Sequence, residues 1–422
     1  QWTLIMDMLI ETPGWHSIVQ INALNNSDDG ELFVSPENGI GITGNYQGNV
    51  TRGEWHRIAF AVDSANVISK FVDGVKVADQ TSWDTKALDG RHAMFATAIL
   101  LADENGDSQP CYLNSVQFRN YKMRDSEIEA LGGPAAEGIP AVSGQWDFND
   151  QSSLAASLSA TIGADMILLP DTELSTVFEP VAFGDTTVNA LLFLAADPSY
   201  GYQIIPGGIP NPDNTKVNQY TLLMDVFYPG SSADSWRSLW QTRTNNADDA
   251  SLFINPADGI GISGNYAGKV QPETWYRLGL TFDLGTRTLK RYLNGQPLGA
   301  MTLGEGADGR WAVDSTALLF ADNDGDNAEG YCNSVQFRPV VLTDDEMKRL
   351  GEPTPGGIPL SFGVPIVITQ FSRNGTDLVI EWKGGQGPYQ LQYKANLNSP
   401  TWENLGEPVE AFTATVPIGT DT

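Results

Sequence analysis

The sequence predicts an all-β protein built from antiparallel β-sandwiches, and three observations support this prediction. Short segments rich in β-branched and aromatic residues recur along the chain, such as "YTLLMDVFY", "SLFIN" and "WYRLGLTFD". Gly, Asn, Asp and Pro separate these segments, which is the composition of turns between strands. A long stretch of the sequence also occurs twice, so whatever fold it encodes is present in two versions.

Composition limits the classes of partner. The 422 residues include 24 Lys and Arg against 52 Asp and Glu, which gives a net charge of −28. This charge repels nucleic acid and anionic membranes, so nucleic-acid binding is not expected, whereas oxygen ligands for cations are plentiful. A run of about 18 apolar residues is absent, so no membrane insertion is expected. Cys111 and Cys332 are too few for a disulfide framework, and we expect buried free thiols.

The repeat is extensive. The segment "NNSDDGELFVSPENGIGITGNYQG" from Asn25 matches "NNADDASLFINPADGIGISGNYAG" from Asn245, and "LLADENGD" from Leu100 matches "LLFADNDGD" from Leu318. Its period is far longer than the roughly 20–50 residues of solenoid repeats. We therefore infer a duplicated domain, with copy one at residues 1–140 and copy two at residues 144–357.

The boundaries of the two copies differ. Copy two begins with a strand-rich stretch, residues 144–217, whereas Gln1 already aligns with Gln219. We expect that the N-terminal strands of copy one are absent from the chain and that the chain is an excerpt of a longer polypeptide. Residues 360–422 contain about five alternating segments with an Asn374-Gly375 hairpin turn, which predicts a third, truncated sandwich.

Each copy is predicted to end in one short helix. In copy two, "TDDEMKRL" places Thr343 and Glu346 at the spacing of a capping box. In copy one, we expect Asp125 to cap the equivalent helix. Trp55 and Trp275, which begin the central strand of each copy, are expected in the core.

Four segments carry a resemblance to a known family. They are the "W-[HY]-R-[IL]" strand, the next strand ending in "FVDG" or "YLNG", the late "NSVQFR" strand and the closing helix. Together they resemble the concanavalin A-like lectin/laminin G superfamily, which implies a jelly-roll β-sandwich for each copy. Copy two resembles laminin G-like modules of secreted bacterial proteins, which implies a secreted, extracellular or cell-surface location. Residues 360–422 resemble a fibronectin type III module.

A catalytic site is not expected. Glycosidases of this fold carry paired carboxylates on one strand, about 5 Å apart in retaining enzymes, and no such run occurs here. Glu127 and Glu129 lie on a predicted helix and are expected to be solvated. All three histidines are in copy one: His16, His56 and His92. Copy two replaces them by other residues, Arg237, Tyr276 and Trp311. A histidine base or zinc site that the duplication did not keep is not expected.

Two loops of each copy concentrate oxygen ligands, and we expect calcium there. Ca²⁺ takes six to eight oxygens, more than either loop supplies alone. The candidate ligands of copy two are Asn245, Asp248, Asp249, Asp322, Asp324 and Asp326. Those of copy one are Asn25, Asp28, Asp29, Asp103, Asn105 and Asp107. The family resemblance implies a calcium ion at the sandwich rim, bound by separate loops.

Alternatives to the calcium site remain open. An EF-hand would need glycine at the sixth loop position and flanking helices, whereas Gly325 is at the fourth position between predicted strands. Asp and Asn are also common turn residues, so the loops could be ordinary acidic turns. In copy one, we expect Gly106 to shift the turn.

Exposed aromatic residues are the candidates for carbohydrate binding, because sugar faces stack on them. The candidates are Tyr46, Tyr266, Trp83 and Trp311. Each could instead pack in the core or at the rim.

Three functions remain. The first, which we favour, is a non-catalytic, calcium-stabilised module that binds carbohydrate or an extracellular surface partner. The second is an accessory region of a secreted hydrolase, either a phosphoesterase or a polysaccharide-degrading enzyme, whose catalytic domain lies elsewhere in the same polypeptide. The third is a structural spacer or subunit of an extracellular assembly.

Overall fold

The structure is a computed structural model. It describes the chain apart from residues 22–29, 84–85, 89, 91, 96, 149–151, 170–176, 195–200, 209–212, 247, 363–366, 376, 384–388, 395–402, 410 and 418–422. The chain divides into two compact units, Gln1–Leu360 and Ser361–Thr422. Antiparallel strands are the predominant regular structure of both units, which confirms the all-β prediction. The helices are short, and none of those described could cross a membrane.

Copy one consists of two five-stranded sheets, in the orders β12-β1-β6-β7-β8 and β11-β2-β3-β4-β5, with β9 and β10 forming a separate ribbon. Its core lies between these sheets, where Leu4, Met6 and Phe60 of one sheet meet Ile18 and Ile40 of the other. The strands are β1 (Trp2–Ile10), β2 (His16–Gln20), β3 (Leu32–Val34), β4 (Ile40–Ile42), β5 (Asn45–Gln47), β6 (Trp55–Asp63), β7 (Val67–Val72), β8 (Val75–Gln80), β9 (Ser82–Trp83), β10 (Lys86–Ala87), β11 (Ile99–Leu100) and β12 (Cys111–Arg119).

Copy two has the same two sheets, enlarged by strands from the stretch before Gln219. The orders are β15-β16-β27-β18-β23-β24-β25 and β14-β17-β26-β19-β20-β21-β22, and β13 also pairs with β27. The strands are β13 (Gly144–Trp146), β14 (Ile167–Leu168), β15 (Val177–Phe183), β16 (Thr186–Phe193), β17 (Tyr202–Ile204), β18 (Gln219–Phe227), β19 (Arg237–Gln241), β20 (Leu252–Ile254), β21 (Ile260–Ile262), β22 (Asn265–Ala267), β23 (Trp275–Asp283), β24 (Thr288–Leu293), β25 (Gln296–Thr302), β26 (Ala317–Leu319) and β27 (Gly330–Arg338).

The last strand of each copy pairs with the first strand of the repeat in the same register. Asp7 lies opposite Ser115 in copy one, and Asp225 lies opposite Ser334 in copy two. A β-bulge follows each of these aspartates, between Asp7 and Met8 and at the matching point of β18. Bulges are conserved features that bend a strand and redirect its side chains. The duplication has therefore preserved backbone detail as well as sequence.

A buried ion pair joins the sheet to the end of each repeat. In copy two, Arg277 contacts Asp225 at 2.7 Å and also donates to the carbonyl oxygens of Leu350 and Gly357. In copy one, Arg57 contacts Asp7 at 2.6 Å and donates to two equivalent carbonyl oxygens. A guanidinium has five donors in a rigid fork, so one arginine can hold a carboxylate and two carbonyls together.

The closing helices are α1 (Asp125–Leu131) and α3 (Asp344–Leu350), and α2 (Leu154–Ser157) is a single turn. The capping box is confirmed: Thr343 Oγ1 accepts from the Glu346 amide at 3.2 Å, and Glu346 Oε2 accepts from the Thr343 amide at 2.7 Å. The prediction for α1 is wrong, because Arg124 precedes the helix and Asp125 is its first residue.

The prediction that Glu127 is solvated is also wrong, because this residue is buried. Its carboxylate accepts hydrogen bonds from the Arg124 amide at 2.7 Å and from the Gly163 amide at 2.8 Å. Gly163 belongs to copy two, and neighbouring Ile162 packs against the outer face of copy one with Ile5. The two copies therefore share buried contacts within one compact unit.

The two tryptophans expected in the core are not there. Trp55 is 42% exposed at the start of β6. Trp275 is only partly buried, and it stacks on Phe183 with ring centroids 5.2 Å apart. Its indole donates to the Ala182 carbonyl at 2.8 Å. Both partners belong to β15, so the environment of this tryptophan depends on strands that precede the repeat.

The remaining polar predictions concern cysteines and histidines. Both cysteines are free; Cys332 is fully buried, which raises the pKa of its thiol well above the ordinary value, whereas Cys111 is only partly buried. His56 lies 2.7 Å from Asp73 and accepts from the Thr51 amide at 2.9 Å. These bonds occupy both ring nitrogens of His56 in structural contacts.

The C-terminal unit contains a three-stranded sheet in the order β28-β29-β32 and the pair β30-β31. Its strands are β28 (Val367–Asn374), β29 (Asp377–Lys383), β30 (Gln392–Tyr393), β31 (Glu403–Asn404) and β32 (Thr413–Pro417). The hairpin closes between Asn374 and Asp377, so Gly375 lies in its loop with φ 64°. The rings of Trp382 and Tyr389 are both buried and 5.3 Å apart.

Candidate metal and ligand site

Asp322 connects the two acidic loops of copy two. It follows β26 and is 1% exposed. Its Oδ1 accepts from the Ala250 amide of the first loop at 2.8 Å. Its Oδ2 accepts from the Asp324 and Asp326 amides of its own loop, at 3.3 and 3.2 Å. One buried carboxylate therefore fixes both loops at the same rim of the sandwich.

Three carboxylates meet at this rim. Oxygen atoms of Asp249, Asp322 and Asp324 all lie within 4.8 Å of one another. A side-chain hydrogen bond to Asp322 and the charge of that residue raise the pKa of Asp324. Burial, with the charges of Asp322 and Asp249, raises the pKa of Asp326. Like charges this close disfavour one another unless a proton or a cation intervenes.

Buried oxygens beside the carboxylates lack donors. The Gln241 side-chain amide donates to Asn246 Oδ1 at 2.7 Å and to the Ala321 carbonyl at 3.3 Å. The Oε1 atom of Gln241 accepts no hydrogen bond from a described residue, although this side chain is fully buried. The Oδ1 atoms of Asn323 and Asn327 are also buried and accept no hydrogen bond from a described residue. Buried acceptors normally have a partner, so these oxygens are available to a ligand or cation.

The other predicted ligands of copy two do not join the three carboxylates. Asp248 contacts Arg243 at 3.3 Å. Asn245 is exposed. Asp326 is close enough for its charge to interact with Asp322, but its carboxylate is outside the group of three. The structure thus assembles half of the predicted set. Gln241, which the sequence analysis missed, adjoins the same loops through its hydrogen bonds to Asn246 and to the Ala321 carbonyl.

Copy one repeats the central connection with one carboxylate at a different loop position, because Glu104 and Asn105 stand where copy two has Asn323 and Asp324. Asp103 accepts from the Gly30 amide at 2.9 Å and from the Asn105 and Asp107 amides at 3.3 and 3.2 Å. The predicted shift of the turn is wrong, because Gly106 has φ 94° and the equivalent glycine of copy two has φ 95°. Asn105 supplies an amide where copy two has the Asp324 carboxylate. The other predicted ligands lie outside the described residues: Asn25, Asp28 and Asp29.

A cleft of about 480 Å³ adjoins the acidic loop of copy two. Its lining includes Ser231, Ser235 and Trp236 on one side and Asp326 and Glu329 on the other. The volume is within the range of small-molecule sites. Ser231 donates to the Glu329 carboxylate, so the two sides of the cleft are in contact. The cleft combines an aromatic surface with hydroxyl and carboxylate groups.

Trp236 is the central aromatic residue of this cleft and was not predicted. It is partly buried and contacts Phe253 edge to face, with centroids 5.7 Å apart. The ring of Tyr266 is also close to Trp236, with centroids 5.8 Å apart and a tilted arrangement. Burial, followed by the charge of Asp326, raises the pKa of Tyr266, which places this tyrosine beside the acidic loop. Trp236 precedes Arg237 just as Trp15 precedes His16, a repeat signal that could have identified it.

The predicted aromatic platforms have different outcomes. The prediction that Trp311 is an exposed platform is wrong. This residue is 8% exposed, and its indole donates to the Ser251 carbonyl at 3.0 Å inside the core. Tyr266 and Tyr46 are both partly buried, and Tyr46 lies 5.2 Å from Trp15. Trp83 is partly buried against the core of copy one, below the ammonium of Lys86.

Comparisons with known proteins give structural likenesses only. No family model matches the chain, and no curated protein matches it. Among solved structures, domain 4 of AbnA, a GH43 extracellular arabinanase from Geobacillus stearothermophilus in complex with arabinotriose, is 14% identical with a TM-score of 0.35. The match covers 50% of this chain and 98% of that domain.

Two further matches are weaker still in overall superposition. The receptor-binding domain of botulinum neurotoxin C/D mosaic serotype is 12% identical with a TM-score of 0.33, covering 57% of this chain and 61% of that one. The Ruminococcus gnavus IT-sialidase CBM40, bound to α2,3-sialyllactose, is 17% identical with a TM-score of 0.25, covering 32% of this chain and 82% of that one. Likenesses at this level assign neither family nor function to this chain.

Proposed function

We propose that copy two is a non-catalytic, calcium-stabilised carbohydrate-binding module that works outside the cell, in a secreted bacterial protein. The observation that carries this proposal is the convergence of Asp249, Asp322 and Asp324 from two loops, next to a cleft that contains Trp236. The cation would hold the loops in place, and the cleft would receive the sugar.

The donor set supports a hard cation. Carboxylate and amide oxygens are the ligands that Ca²⁺ prefers, and the group contains neither sulfur nor imidazole. Gln241 Oε1 is a buried oxygen without a donor close to the same loops. Asp249 and Asp324 are exposed, so water can complete the coordination. Sites of about 10⁻⁴–10⁻³ M affinity are typical of extracellular modules, and an exposed site of this kind is consistent with that range.

The cleft supports a neutral sugar. Trp236 lines the cleft and offers aromatic surface for stacking, and Ser231, Ser235 and Glu329 offer hydrogen-bonding groups. Tyr266 lies beside Trp236. The net charge of −28 disfavours an anionic polysaccharide unless a cation bridges the charges.

Calcium binding can be tested by thermal unfolding of the whole chain in excess Ca²⁺ and in chelator. At free calcium near 100 times Kd, linkage predicts about 2.7 kcal/mol of stabilisation, which corresponds to about 5–11 °C in Tm for a domain of roughly 150–250 residues, at about 2–4 °C per kcal/mol. Asp324→Asn should remove most of the shift. Asp314→Asn, an exposed acid outside the group, is the matched control and should keep it. An equal calcium response of both variants would contradict the metal site.

Carbohydrate binding can be tested by retention on immobilised neutral polysaccharides, with Ca²⁺ or chelator in the buffer. Trp236→Ala should abolish retention if the cleft of copy two is the binding site. Trp15→Ala makes the same change at the equivalent position of copy one and should leave retention intact. Equal retention of the Trp236 variant and the unmodified protein would exclude this cleft.

A further inference from the structure

The last strand of copy one exposes residues that face the core in copy two. On β12, Leu113, Val116 and Phe118 are 38%, 41% and 41% exposed. Their counterparts in β27 are fully buried: Cys332, Val335 and Phe337. Two flanking aromatic residues are also exposed, Trp55 at 42% and Tyr112 at 58%. We call these five residues of copy one the open edge. An apolar surface of this kind indicates that something covers it.

Copy two shows what covers the equivalent residues. Strand β16 pairs with β27, with Leu191 opposite Cys332, and β13 pairs with its other end, with Trp146 opposite Val335. Strand β15 supplies the remaining contacts. Its Phe183 stacks on Trp275, the counterpart of Trp55, and its Glu179 accepts from the hydroxyl of Tyr331, the counterpart of Tyr112.

Backbone pairing leads to the same conclusion. Among the described strands, β12 pairs only with β1, whereas β27 pairs with β18, β16 and β13. The free side of β12 therefore presents unpaired amide and carbonyl groups beside apolar side chains. An edge strand in this state is a template for another strand.

We propose that the open edge of copy one is the docking surface for a β-segment built like residues 144–204, supplied by the same polypeptide ahead of Gln1. The exposed face of β12, and not the position of Gln1, indicates this occupant. The register follows from copy two: the residue equivalent to Leu191 lies opposite Leu113, and the residue equivalent to Trp146 lies opposite Val116.

A second copy of the chain fits this surface less well. The exposed residues belong to the interior of a sandwich, so the occupant must contribute an extended segment that enters between the two sheets. The matching strands of copy two, β13 and β16, are already paired with its own β27.

The test uses the full chain, extended at Gln1 with a second copy of its own residues 143–218. Hydrogen exchange would be followed in residues 111–119, with residues 330–338 as the internal reference. We expect exchange in 111–119 to slow at least about tenfold in the extended protein. The matched control carries the same extension with Asp at the positions copied from Trp146 and Leu191, and should give no protection.

Phe118→Asp provides an independent check. In the unextended chain it should be tolerated, since Phe118 is 41% exposed, whereas in the extended protein it should abolish the added protection. Unchanged exchange in 111–119 after extension, with 330–338 still protected, would overturn the proposal. Protection that rises with concentration of the unextended chain, together with a dimer in sedimentation, would also overturn it, because the occupant would then be a second copy.

Discussion

Copy one and copy two share a scaffold but differ at two places on it. Both contain the bulged strand pair, the buried Arg–Asp ion pair and a buried aspartate that joins two rim loops. They differ in the acidic loop, where Glu104 and Asn105 replace Asn323 and Asp324, and on the last strand, which is open in copy one and covered in copy two. The shared features explain the common fold, and the differing ones are where we place cation binding and strand docking.

The largest expected effect tests the shared scaffold. Arg277→Ala leaves Asp225 buried without its cation, which should cost about 3–5 kcal/mol of unfolding free energy. Arg57→Ala should cost a similar amount, because Asp7 is equally buried. Urea unfolding followed by hydrogen exchange would assign each loss to its own copy. A loss below about 1 kcal/mol in either copy would contradict the structural role of the pair.

A second prediction tests the difference between the last strands. Phe337→Ala removes a fully buried ring and should cost about 3–5 kcal/mol. Phe118→Ala removes the equivalent ring of copy one, which is 41% exposed, and should cost clearly less. Urea unfolding of the two variants gives the comparison directly. Equal losses would show that the open edge is covered in the chain as it stands.

The smallest expected effect concerns pH. Raised pKa values of Asp324 and Asp326 mean that the folded protein, without calcium, binds their protons more tightly than the unfolded chain. Their contribution to stability is therefore present below the ordinary value of 3.8 and is lost as pH rises through the raised values. In calcium, we expect stability to increase with pH over this range instead, because calcium binds the ionised carboxylates.

The measurement for this prediction is the unfolding free energy in chelator and in calcium between about pH 4 and pH 7. Asp324→Asn should flatten the dependence in chelator and weaken the reversal by calcium. A wild-type dependence that the substitution leaves unchanged would mean that other groups cause it.

Much of the fold was predictable from the sequence, because strand patterns and capping residues are local. The capping box of Thr343 and Glu346, for example, needs only four residues. The errors arose where distant segments decide burial. Trp275 is covered by β15, which the repeat does not include, and Glu127 is buried by a loop of the other copy.

The candidate site was predictable only in part. The acidic loops were identified from their composition, but which carboxylates converge depends on the connection through Asp322. Trp311 looked like a surface residue because it follows a polar loop, yet its indole packs into the core. Trp236 went unnoticed because its cleft forms only when residues 231–236 and 325–329 meet.

The central claim, a cation site at Asp249, Asp322 and Asp324, is tested most directly by calorimetric titration of the full chain with calcium. The unmodified protein and Asp324→Asn would be compared at neutral pH, with Asp314→Asn as the control. We predict that Asp324→Asn loses a binding event that the control retains. Identical titrations of all three proteins, or no heat from any of them at millimolar calcium, would contradict the proposed site.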